Sequence, residues 1–199
     1  MTEIFSTKFH KAVYPGDCLK LQKHIIPKLD VVFEETAEDN QGSMRQGGLC
    51  SYNVVSNLAE RIDLLDLEDF VLTEAKKFWK EMEYTETGCK MFKSWANKYP
   101  HNSFIDSHNH APISLTASFY LQKPENSGDL VFENPLNSIL KYQPYKQLTD
   151  LSNYHNLFDY KLSVSEGDLI IFPGYLNHKT TVNLSRADRI TIGFNIIAL

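Results

Sequence analysis

Cysteine is scarce in this chain and never paired along it. Cys18, Cys50 and Cys89 are odd in number and widely spaced, with no C-x-x-C among them. That excludes a zinc knuckle and a disulfide framework and leaves reduced thiols as the expectation. Long apolar runs are missing too, so no stretch reads as a membrane span. The start, Met1-Thr2-Glu3-Ile4-Phe5, has neither the basic residues nor the apolar stretch of a signal peptide. A cytoplasmic protein with no membrane partner is the resulting expectation, in which the sequon Asn183-Leu184-Ser185 carries no meaning. Basic residues are outnumbered, 20 Lys and Arg against 25 Asp and Glu, for a net charge of -5 without a basic cluster. This argues against nucleic acid gripped by its phosphates, unless a local basic groove sits inside the acidic average. Internal repeats and low-complexity linkers are absent as well.

What is present is an ordinary globular composition, 42% hydrophobic with 10 Tyr and 12 Phe. A length of 199 residues suffices for one sizeable core and requires no second domain. One helix is expected from Asp17, its N-cap, to Leu29, with Cys18, Leu21, Ile25 and Leu29 on one face; Pro27 predicts an early end or a kink. A second is expected from Asp66 to Tyr84, capped by Asp66, with Phe70, Val71, Ala75, Phe78 and Met82 at helical spacing. Between them, residues 37–50 read as a long loop, and the Gly-containing stretch 42–52 as a lid. After Gly88 the character changes to short aromatic and β-branched runs: Lys90 to Trp95, Ser114 to Gln122, Asp129 to Phe132, Leu169 to Phe172 and Ile190 to Ile197. Turn formers separate them, with Gly128 and Gly167 turning the chain, while residues 134–160 fit no period and read as an insertion. The expected architecture is mainly β: one domain over 1–199, with helical support and N-terminal strands in 1–88 and a jelly-roll core in 89–199.

Chemistry concentrates between His108 and Asn195. Histidine is the commonest side-chain ligand of iron, copper and zinc, and two on alternate residues of an extended strand face the same way. His108 and His110 meet that condition, and His178, 68 residues beyond His110, follows a strand that ends in Phe172-Pro173. Arg189 lies eleven residues further on, as an anion clamp would. Asp106 with His108 is a second possible registration of the ligand pair. The other histidines, His10, His24, His101 and His155, read as solvated or hydrogen-bonded. His108-Asn109-His110 is not an HNH nuclease motif, which needs a longer ββα unit in a basic context.

As a set, these motifs resemble those of the Fe(II)/2-oxoglutarate-dependent oxygenases, in particular a small bacterial and phage group related to prolyl hydroxylases. The resemblance rests on His108-Asn109-His110, Ser118-Phe119-Tyr120-Leu121, Ser127-Gly128-Asp129-Leu130-Val131-Phe132-Glu133-Asn134-Pro135, Gly167 to Pro173, His178, and Arg189-Ile190-Thr191-Ile192-Gly193-Phe194-Asn195. It implies a double-stranded β-helix (cupin-like), Fe(II) as metal, and 2-oxoglutarate and O2 as cosubstrates. The implied reaction hydroxylates a C–H bond of a peptide or protein side chain or a small metabolite, releasing succinate and CO2. It also implies His108, His110 and His178 as ligands, and Arg189 with Tyr120 and Thr191 on the 5-carboxylate of 2-oxoglutarate. Arg189 is preferred to Arg186 because Arg189, Thr191 and Gly193 alternate onto one strand face.

One departure stands out: the common triad is two histidines and a carboxylate, and His110 occupies the carboxylate position. Asp106 would then orient a ligand imidazole from behind. Trp95 is expected in the core and Asn97 at the pocket, with Phe132 and Phe194 as core packing. Two other readings share the layout. A cupin-like iron dioxygenase would need no 2-oxoglutarate, although glycine is sparse near His108. A jelly-roll binding or structural module would have no need of Arg189.

Overall fold

The computed structural model describes residues 6–36, 43–64, 66–84, 88–140 and 158–199. Strand β1 (His10–Val13) and helix α1 (Cys18–Thr36) come first, then the short strands β2 (Met44–Arg45) and β3 (Leu49–Cys50), and helices α2 (Leu58–Arg61) and α3 (Leu67–Glu81). Strands β4 (Cys89–Tyr99), β5 (Phe104–Ile105), β6 (Leu115–Gln122) and β7 (Leu130–Glu133) precede the single turn α4 (Asn137–Leu140). Strands β8 (Asp159–Leu162), β9 (Asp168–Pro173), β10 (His178–Thr180) and β11 (Arg189–Ala198) complete the chain.

Helix α1 begins where expected, the Asp17 carboxylate accepting from the Lys20 amide at 3.0 Å. It does not end at Pro27 but runs on to Thr36. Pro27 lies on the exposed face, where its missing N–H and its ring leave the core undisturbed. Meanwhile Leu21, Ile25, Leu29, Val32 and Phe33 keep a continuous buried stripe, and burial of such a face outweighs one lost hydrogen bond. Helix α3 is shorter than expected, closing at Glu81, and Asp66 occupies its N-cap position without a side-chain cap bond.

All strand pairs are antiparallel. A six-stranded sheet has the order β1-β9-β6-β11-β4-β3, and a three-stranded sheet the order β10-β7-β8. The large sheet alternates cleanly. Ala96, Ala117, Phe119, Leu169, Ile171, Ile192 and Phe194 face α1 and α3 in one buried cluster. Its opposite face, with Ile170, Phe172 and Tyr120, meets Leu130 and Phe132 of the small sheet in a second cluster. This is a double-stranded β-helix backed by helices. The expected loop is more structured than composition suggested: from residue 43 onward it forms β2 against β5 and β3 against β4. Residues 37–42 of that loop, residues 141–157 of the expected insertion, and His155 lie outside the described residues.

The extension of α1 is testable at Phe33, which is 2% exposed. Phe33→Ala should cost about 3–5 kcal/mol in urea unfolding. A helix that frayed after Pro27 would leave Phe33 at the surface and the change within about 0.5 kcal/mol.

Candidate metal centre

The three histidines meet because two chain segments form a single antiparallel bridge. His108 and His178 exchange backbone hydrogen bonds of 3.0 and 2.9 Å, and the His110 amide donates to Gly174 O at 2.7 Å. Gly174 has to lack a side chain here, since a Cβ would lie 2.1 Å from Ile113 O. His108 and His110 therefore sit on an extended stretch laid against the start of β10, not on a regular strand. The ligand atoms of His108, His110 and His178 all lie within 4.8 Å of one another, close enough to hold one metal ion.

The ring tautomers are set locally. Nδ1 of His108 is 2.8 Å from the Asp106 carbonyl, and Nδ1 of His178 is 3.0 Å from the Leu176 carbonyl. A carbonyl only accepts, so each Nδ1 carries the proton and each Nε2 keeps its lone pair. Asp106 thus orients His108 through its backbone, while its carboxylate pairs with Arg45 Nε at 2.6 Å and does not join the cluster. Burial lowers all three imidazole pKa values: His108 below its usual range, His110 to about 4 with His108 assisting, and His178 well below the usual value. Neutral imidazole is the ligating form. His10, His24 and His101 are hydrogen-bonded elsewhere, to Glu74, Lys28 and the Ser185 carbonyl.

The strand register assembles the rest. Along β11, Arg189, Thr191 and Gly193 pair with Tyr99, Asn97 and Trp95 of β4. Thr191 and Gly193 pair with Tyr120 and Ser118 of β6 on the other side. Directly paired residues share a face, so these form one polar and aromatic field lining a cavity of about 430 Å3 together with the histidines. Trp95 is a correction: its ring faces this cavity 5.4 Å from the His110 ring, not the core. Gly193 makes the room, since a Cβ there would lie 2.4 Å from indole atoms.

Arg189 is fully buried behind this field. Its guanidinium lies 4.0 Å over the Tyr99 ring. Nη1 donates to Ser127 O at 2.5 Å and Thr181 O at 3.5 Å, and Nη2 to Thr180 Oγ1 at 2.9 Å. Nε has no partner, and among the described residues no carboxylate forms an ion pair with this arginine. Gly128, at φ +87°, allows the docking, because a Cβ would lie 2.6 Å from Nη1. A guanidinium offers five donors; three are used, and those left are Nε and one on Nη2, the side that receives a carboxylate edge-on. A dry cation without a counter-charge is costly, and this one keeps donors free on that side. Beside it, burial pushes Tyr99 up to about 12 and raises Tyr120 further, Arg189 opposing both. Both phenols stay protonated donors at neutral pH. Thr191 accepts from the Asn97 amide at 3.3 Å.

Sequence reasoning named Arg189, Tyr120 and Thr191 but missed Tyr99 and Thr180. The i, i+2 spacing of Trp95, Asn97 and Tyr99 was the available signal, although only the register with β11 turns that spacing into a site.

Residues 93–195 match the model of a family described as "Putative 2OG-Fe(II) oxygenase". The chain belongs to the 2OG-Fe(II) oxygenases. It is thus a 2-oxoglutarate- and Fe(II)-dependent oxygenase, with iron as metal and 2-oxoglutarate and O2 as cosubstrates. That sets aside both the binding module and the dioxygenase independent of 2-oxoglutarate. No curated protein sequence matches the chain. Solved structures share the fold at low identity. The α-ketoglutarate-dependent carbocyclase SnoK from nogalamycin biosynthesis is 13% identical at a TM-score of 0.62, over 96% of this chain and 80% of its own. A Pseudomonas putida prolyl-4-hydroxylase is 10% identical at 0.60, over 98% and 95%. HygX from Streptomyces hygroscopicus, solved with nickel and 2-oxoglutarate, is 10% identical at 0.59, over 96% and 83%. Among the described residues of the oxygenase, no helix is long and apolar enough to cross a membrane.

The lowered imidazole pKa values make a pH prediction for the metal-free oxygenase. The unfolded chain takes up protons near the ordinary histidine value of 6.5, whereas folded His110 waits until about 4. Stability is therefore present above 6.5 and lost as pH falls towards 4, by roughly 3 kcal/mol for His110 alone. Urea unfolding between pH 7 and pH 4 should show this loss in the wild type and a smaller one in His110→Gln.

Proposed function

We propose that His108, His110 and His178 hold Fe(II), and that Arg189 receives the 5-carboxylate of 2-oxoglutarate with help from Tyr120, Thr191 and Tyr99. The observation that carries this reading is a fully buried guanidinium with unused donors, placed behind the cavity that three neutral, mutually close imidazoles enter. The donor set fits both groups: imidazole nitrogen suits iron, and a guanidinium side with phenol hydroxyls suits a carboxylate. When bound, iron and 2-oxoglutarate supply the oxidising chemistry, with O2 consumed, succinate and CO2 released, and a substrate C–H bond hydroxylated.

The chain's own part is positional. The backbone carbonyls at Asp106 and Leu176 hold two imidazoles with Nε2 forward. Phe172, whose ring lies 4.7 Å from that of His178, and Trp95 beside His110 give the site apolar walls that exclude water. With His110 where the family commonly has a carboxylate, the site carries one more positive charge than the common triad. The substrate is a peptide or protein side chain or a small metabolite, reaching the histidines through the cavity that Tyr52 and Trp95 border.

Anaerobic titration of Fe(II) and 2-oxoglutarate, followed by the visible metal-to-ligand charge-transfer band, tests the assignment. Wild type should give the band. Arg189→Met should weaken 2-oxoglutarate binding roughly 10- to 150-fold, the 1.5–3 kcal/mol of a charged hydrogen-bonded pair, while iron stays bound. His178→Ala should lose iron, and His110→Asp should keep it. Unchanged cosubstrate affinity in Arg189→Met would retire the clamp, and full iron occupancy in His178→Ala would break the triad.

A further inference from the structure

The polar field does not stop at the metal. On β4 it runs Tyr99, Asn97, Trp95 and then Lys93, and β11 matches these in turn with Arg189, Thr191, Gly193 and Asn195. Asn195 has Thr116 of β6 as its partner on the other side. The face thus bears one cation at each end, six residues apart along β11, or roughly 20 Å at strand rise. The metal-site residues Trp95 and Gly193 lie between them.

Lys93 stands next to the cavity lining without belonging to it. Its Nζ lies 4.0 Å over the Tyr52 ring. Tyr52 stands edge-on to Trp95 at 5.0 Å, and Trp95 meets His110 at 5.4 Å. Tyr52 and Trp95 both line the cavity. The part-buried lysines Lys98, Lys123 and Lys179 each have a carboxylate partner, and Lys28 meets the His24 ring. Among the described residues Lys93 has none, and burial lowers its pKa with only the Cys50 thiol opposing. Beside it, Asn195 is fully buried with its Nδ2 unpartnered, while its Oδ1 accepts from the cavity-lining Thr116 hydroxyl at 3.2 Å.

The cavity wall itself carries no Asp, Glu, Lys or Arg among the described residues. Asp106, next to the ligand segment, is engaged by Arg45. The described wall therefore holds no carboxylate to pair with an ammonium group; its unpartnered acceptor is the neutral amide oxygen of Asn97. With Fe(II) bound, the metal, Arg189 and Lys93 bring more positive charge than the two carboxylates of 2-oxoglutarate neutralise, and an imidazole as third ligand leaves that excess one unit larger than a carboxylate would.

We propose that the substrate is a small organic carboxylate, its anionic group received by Lys93 beside the Thr116–Asn195 pair and its apolar or aromatic body lying on Tyr52 and Trp95. This rests on the metal and cosubstrate roles proposed above. The volume of about 430 Å3 suits a small molecule. Lys93 is then the specificity-determining counterpart of Arg189, one cation for each of two acids, at opposite ends of this sheet face.

Calorimetric titration under nitrogen, on the full chain loaded with Fe(II) and saturating 2-oxoglutarate, tests this with phenylacetate, phenylacetamide and phenethylamine. With Arg189 occupied, phenylacetate should bind at least tenfold more tightly than the amide or the amine. Lys93→Gln should abolish that preference while leaving the melting temperature and the 2-oxoglutarate isotherm unchanged, and Lys93→Arg should retain it. Equal binding of the three probes, binding of none, or an unchanged preference in Lys93→Gln would overturn the substrate class while an intact 2-oxoglutarate isotherm leaves the cosubstrate reading standing. Absence of the 2-oxoglutarate isotherm in wild type would overturn both.

Discussion

The pairing register of β11 between β4 and β6 is the constraint on which the site depends. It sends Ile190, Ile192, Phe194 and Ile196 into the helix-backed core, and Arg189, Thr191, Gly193 and Asn195 towards the cavity. A slip of one residue would exchange the two sets, placing a guanidinium against leucines and isoleucines against the histidines. The large apolar cluster on one face therefore holds the polar face in place. Bulges at Ile190/Thr191 and Asn195/Ile196 fall at the two ends of the functional stretch, where bulges commonly re-aim side chains beside active sites.

Electrostatically the centre is unusual for what it lacks. Three imidazoles are held neutral by burial, and no carboxylate among the described residues lies in the cavity wall or pairs with the buried arginine. In a low-dielectric interior an uncompensated positive charge is not neutral ground. It is a standing preference for anions, strongest where donors are already oriented. Glycines at 128, 174 and 193 serve this arrangement by omission, each leaving space that a Cβ would take from the arginine, the histidine-bearing strap or the indole.

Much of this was legible in residues alone, though unevenly. Five short runs after Gly88 read as strands and became β4, β6, β7, β9 and β11, because aromatic and β-branched residues bounded by turn formers are a local signal. Strands β5 and β10 lay outside those runs, β8 starts within the stretch read as an insertion, and β1, β2 and β3 were expected only as unplaced N-terminal strands within 1–88, since pieces of two to four polar-rich residues carry little local signal. Pro27 predicted a stop that burial of Val32 and Phe33 overrode. Trp95 looked like core by size, and its real orientation depended on the absence of a side chain at Gly193, almost a hundred residues away.

Residue order alone carried the kind of chemistry: histidines, arginine and strand-forming runs in an order that resembles one oxygenase family, with a histidine where that family commonly has a carboxylate. Tertiary structure decided which atoms meet. The His108–His178 bridge, the docking of Arg189 on Tyr99 and Ser127, and the alignment of Lys93 with Asn195 join residues far apart in the chain. Alternation within a strand is a local property of the backbone. Register between strands is set by packing the whole sheet, and no single segment contains it.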